Sequence, residues 1–144
     1  MNTPIRVLLT QKPADLHTVP NTHTVAEAVD RMNSFRVGAL FVEADGRLVG
    51  LLSERDVLSR VISAGRDPTC TSVHEVMTTR VATVSSDATV AETLALMQAQ
   101  GCRHVPVVDG GELIGMISVG DLTRWNLRYQ AGRINDLERY ITLS

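Results

Sequence analysis

Two serines in this chain each stand three residues ahead of an aspartate, in the same local setting. Gly50-Leu51-Leu52-Ser53-Glu54-Arg55-Asp56 and Gly115-Met116-Ile117-Ser118-Val119-Gly120-Asp121 share a glycine, two apolar residues, a serine and an aspartate at one spacing. At a strand-to-helix junction the serine hydroxyl accepts from the aspartate backbone N–H, while the carboxylate accepts from the serine N–H: a capping-box geometry. The same arrangement suits a ligand. A helix N-terminus presents free N–H groups and the positive end of its dipole to an anion. A carboxylate held ionised in the first turn accepts two hydroxyl hydrogen bonds, and charge-assisted bonds of this kind contribute roughly 1.5–3 kcal/mol each. Taken singly, either motif fits capping alone as well as it fits binding. Two copies in register favour binding.

Arg103 and His104 precede Pro106 at the start of an apolar run. They read either as a surface Arg with a half-covered His, or as side chains that enter a cleft and neutralise phosphate, Arg being the better fork. The corresponding stretch of the first motif is Gly38-Ala39-Leu40-Phe41-Val42, without Arg, His or Pro. Conversely, Arg55 offers the first motif a cation where Gly120 offers the second none. Two unequal clefts are expected, with one occupied site as consistent as two. His17, His23 and His74 read as ordinary surface or edge residues. No two histidines have metal-ligand spacing, so no metal site is expected. Gly110, Gly111, Gly115 and Gly120 do not form GxGxxG after a first strand, and no GxSxG elbow or nucleophile–base pair occurs, so no catalytic constellation is expected.

The elements that must position these side chains repeat. Thr24-Val25-Ala26-Glu27 recurs as Thr89-Val90-Ala91-Glu92, and an ungapped displacement of 65 residues aligns 18–59 with 83–124 at 13 identities in 42 positions. Each repeat reads as strand, helix, strand, strand, helix. A short β-rich piece (16–19; 81–84) leads to a capping Thr. The following helix carries Val25, Ala28, Val29 and Met32, or Val90, Thr93, Leu94 and Met97, on one face. Strands over 39–43 and 47–52 turn through Ala44-Asp45-Gly46; the second repeat turns through Asp109-Gly110-Gly111, where Gly tolerates positive φ. A closing helix starts at each motif serine. Residues 63–72, polar and holding Gly65 and Pro68, read as a linker. Ile5, Leu8, Leu9 and Thr10 echo Val73, Val76, Met77 and Thr78, and each segment is expected to pack beside its own repeat. The divisions that follow are 1–66, 67–130 and a helical tail over 131–144.

Bulk properties narrow the function. A chain of 144 residues folds without staples, burying roughly 70% of its unfolded surface. With 14 Lys plus Arg against 16 Asp plus Glu, the net charge of −2 gives no footprint for nucleic acid or an anionic membrane. Cys70 and Cys102 are isolated, without CxxC spacing. Together with an N-terminus that lacks a signal-peptide apolar stretch and no membrane-length apolar run, they point to a cytoplasmic setting.

The two Gly–apolar–apolar–Ser–x–x–Asp motifs, Val105-Pro106-Val107 as an apolar–Pro–apolar strand, and the lead-in Val73-His74-Glu75-Val76-Met77-Thr78 resemble the CBS-domain family, over about residues 5–130. A stand-alone chain of this kind is similar to small bacterial CBS-pair proteins. The resemblance implies an α+β fold: two tandem β-α-β-β-α repeats packed with pseudo-twofold symmetry as a Bateman module, plus a C-terminal helix. It implies two clefts that take an adenosine nucleotide or relative (AMP, ADP, ATP, NAD or S-adenosylmethionine). Asp56 or Asp121 would meet the ribose, and Ser53, Arg55, Ser118, Arg103 and His104 the ribose or phosphate. Thr18, Gly38, Ala39, Thr83, Val105 and Pro106 would frame the adenine.

Beyond the second motif, Ile134, Leu137, Tyr140 and Ile141 form an apolar stripe on a terminal helix, read as pairing across a homodimer, with docking on its own module as the alternative. The expected function is a non-catalytic regulatory sensor that acts on another protein. The alternative is a dimerisation or interaction module with vestigial clefts. Asp56 and Asp121, both present, favour the sensor.

Overall fold

A computed structural model describes residues 2–11 and 16–130. The elements in chain order are α1 (Ile5–Thr10), β1 (Thr18–Pro20), α2 (Val25–Phe35), β2 (Ala39–Ala44), β3 (Arg47–Ser53), α3 (Glu54–Asp56), α4 (Val73–Val76), α5 (Val90–Gln100), β4 (His104–Asp109), β5 (Glu112–Ser118) and a final helix α6 (119–130). The terminal stripe over 134–141 lies outside the described residues.

The strands form one sheet in the order β1-β2-β3-β5-β4. β1 runs parallel to β2, and a single parallel bridge from Val84 to Val107 repeats that pairing beside β4. The palindromic order is the pseudo-twofold written in hydrogen bonds. Even the irregularities agree, since a register shift between Val42 and Glu43 recurs between Val107 and Val108. The expected strand at 81–84 is thus reduced to one bridged residue. The half-sheets meet narrowly, at Arg47 opposite Glu112 near the tips of the two hairpins. A narrow seam leaves the space between the repeats open for a cleft.

Local chemistry explains the helices. Thr24 caps α2 in a full capping box with Glu27, and Thr89 caps α5. Both helices end in a left-handed residue, Arg36 at φ 57° and Gly101 at φ 65°. Ser53 caps α3, which widens into a π-helical stretch over Val57–Ile62, where the Ser63 N–H donates to the Leu58 carbonyl at 2.9 Å.

Two cores follow, and they correct one expectation. The lead-in segments do not pack beside their own repeats; they are exchanged. Ile5 and Leu8 of α1 are buried with Val90, Met97, Val105 and Ile117 of the second repeat. Val73 and Val76 of α4 are buried with Val25, Met32, Leu40 and Leu52 of the first. Matching hydrogen bonds hold each crossing: Ile5 N–H donates to Ala88 O at 2.8 Å, and Val73 N–H to His23 O at 2.8 Å. The motif glycines make the crossings fit. A Cβ on Gly50 would lie 2.6 Å from Met77 Sδ and 2.8 Å from the Thr78 carbonyl; one on Gly115 would lie 2.8 Å from a Leu9 methyl. Among the described residues no helix is long and apolar enough to cross a membrane.

Candidate functional site

A cavity of about 620 Å³ lies between the repeats, within the range usual for small-molecule sites. The first repeat contributes His17, the α2–β2 turn (Arg36, Val37, Gly38, Ala39), Phe41 and Leu51. The second contributes Arg80, Val81 and Ala82 ahead of Val84, Gln100 and Cys102 at the end of α5, and His104, Met116, Ser118 and Asp121. Val37 with Cys102, Ala39 with His104, and Leu51 with Met116 are equivalent under the 65-residue displacement. The cavity therefore straddles the pseudo-twofold, but the polar residues that the two repeats bring to it differ.

Those polar residues carry the chemistry. Asp121 is the one carboxylate on the described wall, against Arg36, Arg80, His17 and His104. Apolar surface from Val37, Ala39, Phe41, Leu51, Val81 and Met116 completes the lining. Such a site suits a flat apolar ring joined to a polyol and to anionic groups. The Ser118 side chain accepts from the Asp121 N–H at 3.0 Å, and Asp121 Oδ2 accepts from the Ser118 N–H at 2.9 Å. Arg124 donates to the other carboxylate oxygen at 2.5 Å from a side chain that is 63% exposed. The reciprocal cap fixes the carboxylate, while the arginine has room to leave. His17 is steadied by Phe35, the ring centroids 4.6 Å apart.

Of the residues singled out in the sequence, the structure brings Ser118, Asp121, His104, Gly38 and Ala39 to this wall. Ser53 and Asp56 form the equivalent capping box, with Asp56 buried; they and Arg55, which is exposed, do not line the cavity. Asp56 also accepts from the Thr78 hydroxyl and faces Arg60 Nε at 3.8 Å. Arg103 is exposed, and its carbonyl accepts from the Val119 N–H. Val105 and Pro106 are buried in β4 opposite Ile117 and Met116. Thr18 opens β1, where its carbonyl accepts from Arg31, and Thr83 is exposed beside Val84.

Sequence reasoning missed Arg36, Arg80 and Cys102, and read His17 as a surface residue although it stands in the cavity wall. Arg36 left a trace. It holds a left-handed conformation that its repeat partner, Gly101, adopts without a side-chain penalty. A branched-off charged residue at such a position points to a role for the side chain. Among the described residues no three His, Cys, Asp or Glu side chains could hold a metal ion.

Comparisons with known proteins agree with this architecture. The CBS domain family model matches twice, over residues 8–63 and 73–128. The CBS domain-containing protein YhcV of Bacillus subtilis is 35% identical over 105 residues, covering 73% of this chain and 74% of YhcV. The mitochondrial CBS domain-containing protein CBSX3 of Arabidopsis thaliana is 35% identical over 123 residues, covering 82% of this chain; the chain spans 60% of that relative's length. A solved CBS domain structure, NE2398, superposes with a TM-score of 0.77 at 33% identity, covering 87% of this chain and 98% of that one. The chain belongs to the CBS domain family, as a tandem pair.

Proposed function

We propose, with that membership as the premise, that this CBS pair is a non-catalytic regulatory sensor that binds an adenosine nucleotide of the AMP, ADP, ATP or NAD kind in the cleft between its repeats. One observation carries the reading: a cavity of about 620 Å³ gathers in one wall the fixed carboxylate of Asp121, the cations Arg36 and Arg80, His104 beside Ser118, and apolar side chains from both repeats. Asp121 accepts the ribose hydroxyls, Arg124 being displaced outward. The purine lies against Val37, Leu51 and Met116. Arg36, Arg80 and His104 answer the phosphate charge, with the α6 N-terminus at Ser118 behind them. Because both repeats supply the wall, a bound ligand favours one relative placement of the repeats, and regulation of a second protein follows from that difference in affinity.

A second reading, the dimerisation module, is favoured at another surface. Leu58, Ile62 and Leu127 are exposed on the closing helical segments, and Ile62 and Leu127 are equivalent under the repeat. A homodimer would cover them. Calorimetric titration with ATP, AMP and NAD tests the sensor reading. Binding of any of these, weakened about tenfold or more by Arg36→Gly or Arg80→Ala, supports it. The absence of binding by nucleotide-free protein that sediments as a dimer would favour the interaction module.

A further inference from the structure

We infer that residues 79–83 form a strap along one side of the cleft, loose in the empty protein and drawn shut by an anionic ligand. The nucleotide reading supplies that ligand, and the closing step rests on it.

The cause lies in the sequence. In the first repeat β1 is a paired strand. The His17 carbonyl accepts from the Phe41 N–H at 3.0 Å, and Thr18, Val19 and Pro20 lie in register beside Phe41, Val42 and Glu43. The displacement of 65 residues places Ala82 where His17 stands and Pro106 where Phe41 stands. Proline has no N–H. The Ala82 carbonyl thus loses the donor that its counterpart uses. The pairing shrinks to Val84, whose N–H donates to the Pro106 carbonyl at 3.1 Å. Among the described residues no hydrogen bond reaches the main chain of 79–83.

Both ends of this run are fixed. Thr78 is bonded to Leu51 through its N–H and its carbonyl, at 2.8 Å each, and Val84 is bonded to Pro106 and Val108. Opening is thereby confined to the five residues between. Exposed, unbonded backbone opens at lower cost than the sheet beside it. Thr79, Arg80 and Thr83 are exposed, while Val81 and Ala82 are half-buried in the cleft wall. Arg80 pairs with no carboxylate among the described residues, so no ion pair holds the strap inward. An anion in the cleft does so. The strap runs from the Leu51 edge of the first repeat to β4 of the second, so its closing bears on both halves.

The test follows trypsin cleavage after Arg80 in the full chain, with the cut identified by mass. In protein freed of nucleotide, its rate should hardly change with urea below the unfolding transition, as local opening requires. Pro106→Val restores the missing N–H in a residue suited to a strand. It should slow the cut roughly two- to tenfold, the weight of one backbone hydrogen bond. A variant that is merely destabilised would be cut faster, so the direction separates the two effects. Pro106→Ala serves as the second variant, and a melting curve confirms that each is folded. Calorimetry with ATP, AMP and NAD runs alongside. A nucleotide that binds should slow the cut in wild type, and by less in Pro106→Val. Cleavage after Arg80 that appears only with global unfolding, or that neither proline variant slows, would overturn the inference. So would a nucleotide that binds and leaves the cut unslowed, and the nucleotide reading would then stand without the strap. If none binds, that reading falls, and the two proline variants alone decide whether the strap is loose.

Discussion

The hydroxyl of Thr78 lies 3.3 and 3.4 Å from the two carboxylate oxygens of Asp56. Thr78 is itself fixed, paired through its backbone N–H and carbonyl with Leu51 at 2.8 Å each way. The second lead-in therefore holds the aspartate of the first motif. At the other motif the corresponding lead-in residue, Thr10, donates instead to the Val7 carbonyl, and Asp121 is met by the exposed Arg124. Thr78→Val should cost about 1 kcal/mol in chemical denaturation. A double-mutant cycle with Asp56→Asn should show coupling of roughly 0.5–3 kcal/mol between the two side chains.

The motif glycines are packing residues. Gly50→Ala would press a methyl group against backbone at Thr78 and should cost roughly 1–3 kcal/mol. Gly115→Ala meets the flexible end of Leu9 and should cost less. Guanidinium unfolding of the two variants side by side checks the order.

The exchanged lead-in makes the second core depend on the chain's first ten residues. Ile5 is fully buried among Val90, Val105 and Ile117. Ile5→Ala should destabilise the protein by about 2–5 kcal/mol. Hydrogen exchange should rise in β4 and β5 more than in β2 and β3. An equal rise in both half-sheets would mean that the cores are not separately supported.

Acid should loosen caps and turns first. Glu27 is held below its ordinary pKa of 4.5 by the Thr24 backbone N–H, and Glu75 by that of Ser72. Asp67 and Asp109 are held below 3.8, first by the hydroxyls of Thr69 and Ser86. A depressed pKa in the folded state means that the unfolded chain takes up protons first as pH falls. The contribution of these groups is present above the ordinary values of 4.5 and 3.8, and is lost as pH falls through the folded-state values. NMR titration of Asp109 should show its pKa rising in Ser86→Ala.

How much of this was legible in the sequence depends on how local each feature is. The capping boxes at Ser53 and Ser118 were readable because donor and acceptor lie three residues apart. The repeat exposed the fold because identities at Thr24, Gly46, Gly50 and Asp56 recur at one displacement. The crossing of the lead-ins was not readable: Ile5 and Val73 have similar apolar faces, and nothing in either segment says which core it fills. Arg36, Arg80 and His17 were missed because they meet only after the two repeats pack. The mismatch of Arg36 with Gly101 was the available signal, since only one of the two positions carries a side chain at a left-handed turn.

Nucleotide binding in the cleft is expected to depend on Asp121. A thermal-shift panel with AMP, ADP, ATP, NAD and S-adenosylmethionine tests it most directly, on wild type, Asp56→Ala and Asp121→Ala. A ligand at about a hundred times its dissociation constant stabilises by about 2.7 kcal/mol. For a domain of this size, that is a rise on the order of 5–10 °C. The expected result is a rise with at least one nucleotide that Asp121→Ala abolishes and Asp56→Ala largely keeps. No rise with any of the five in folded, nucleotide-free protein, or a rise untouched by Asp121→Ala, would contradict the claim.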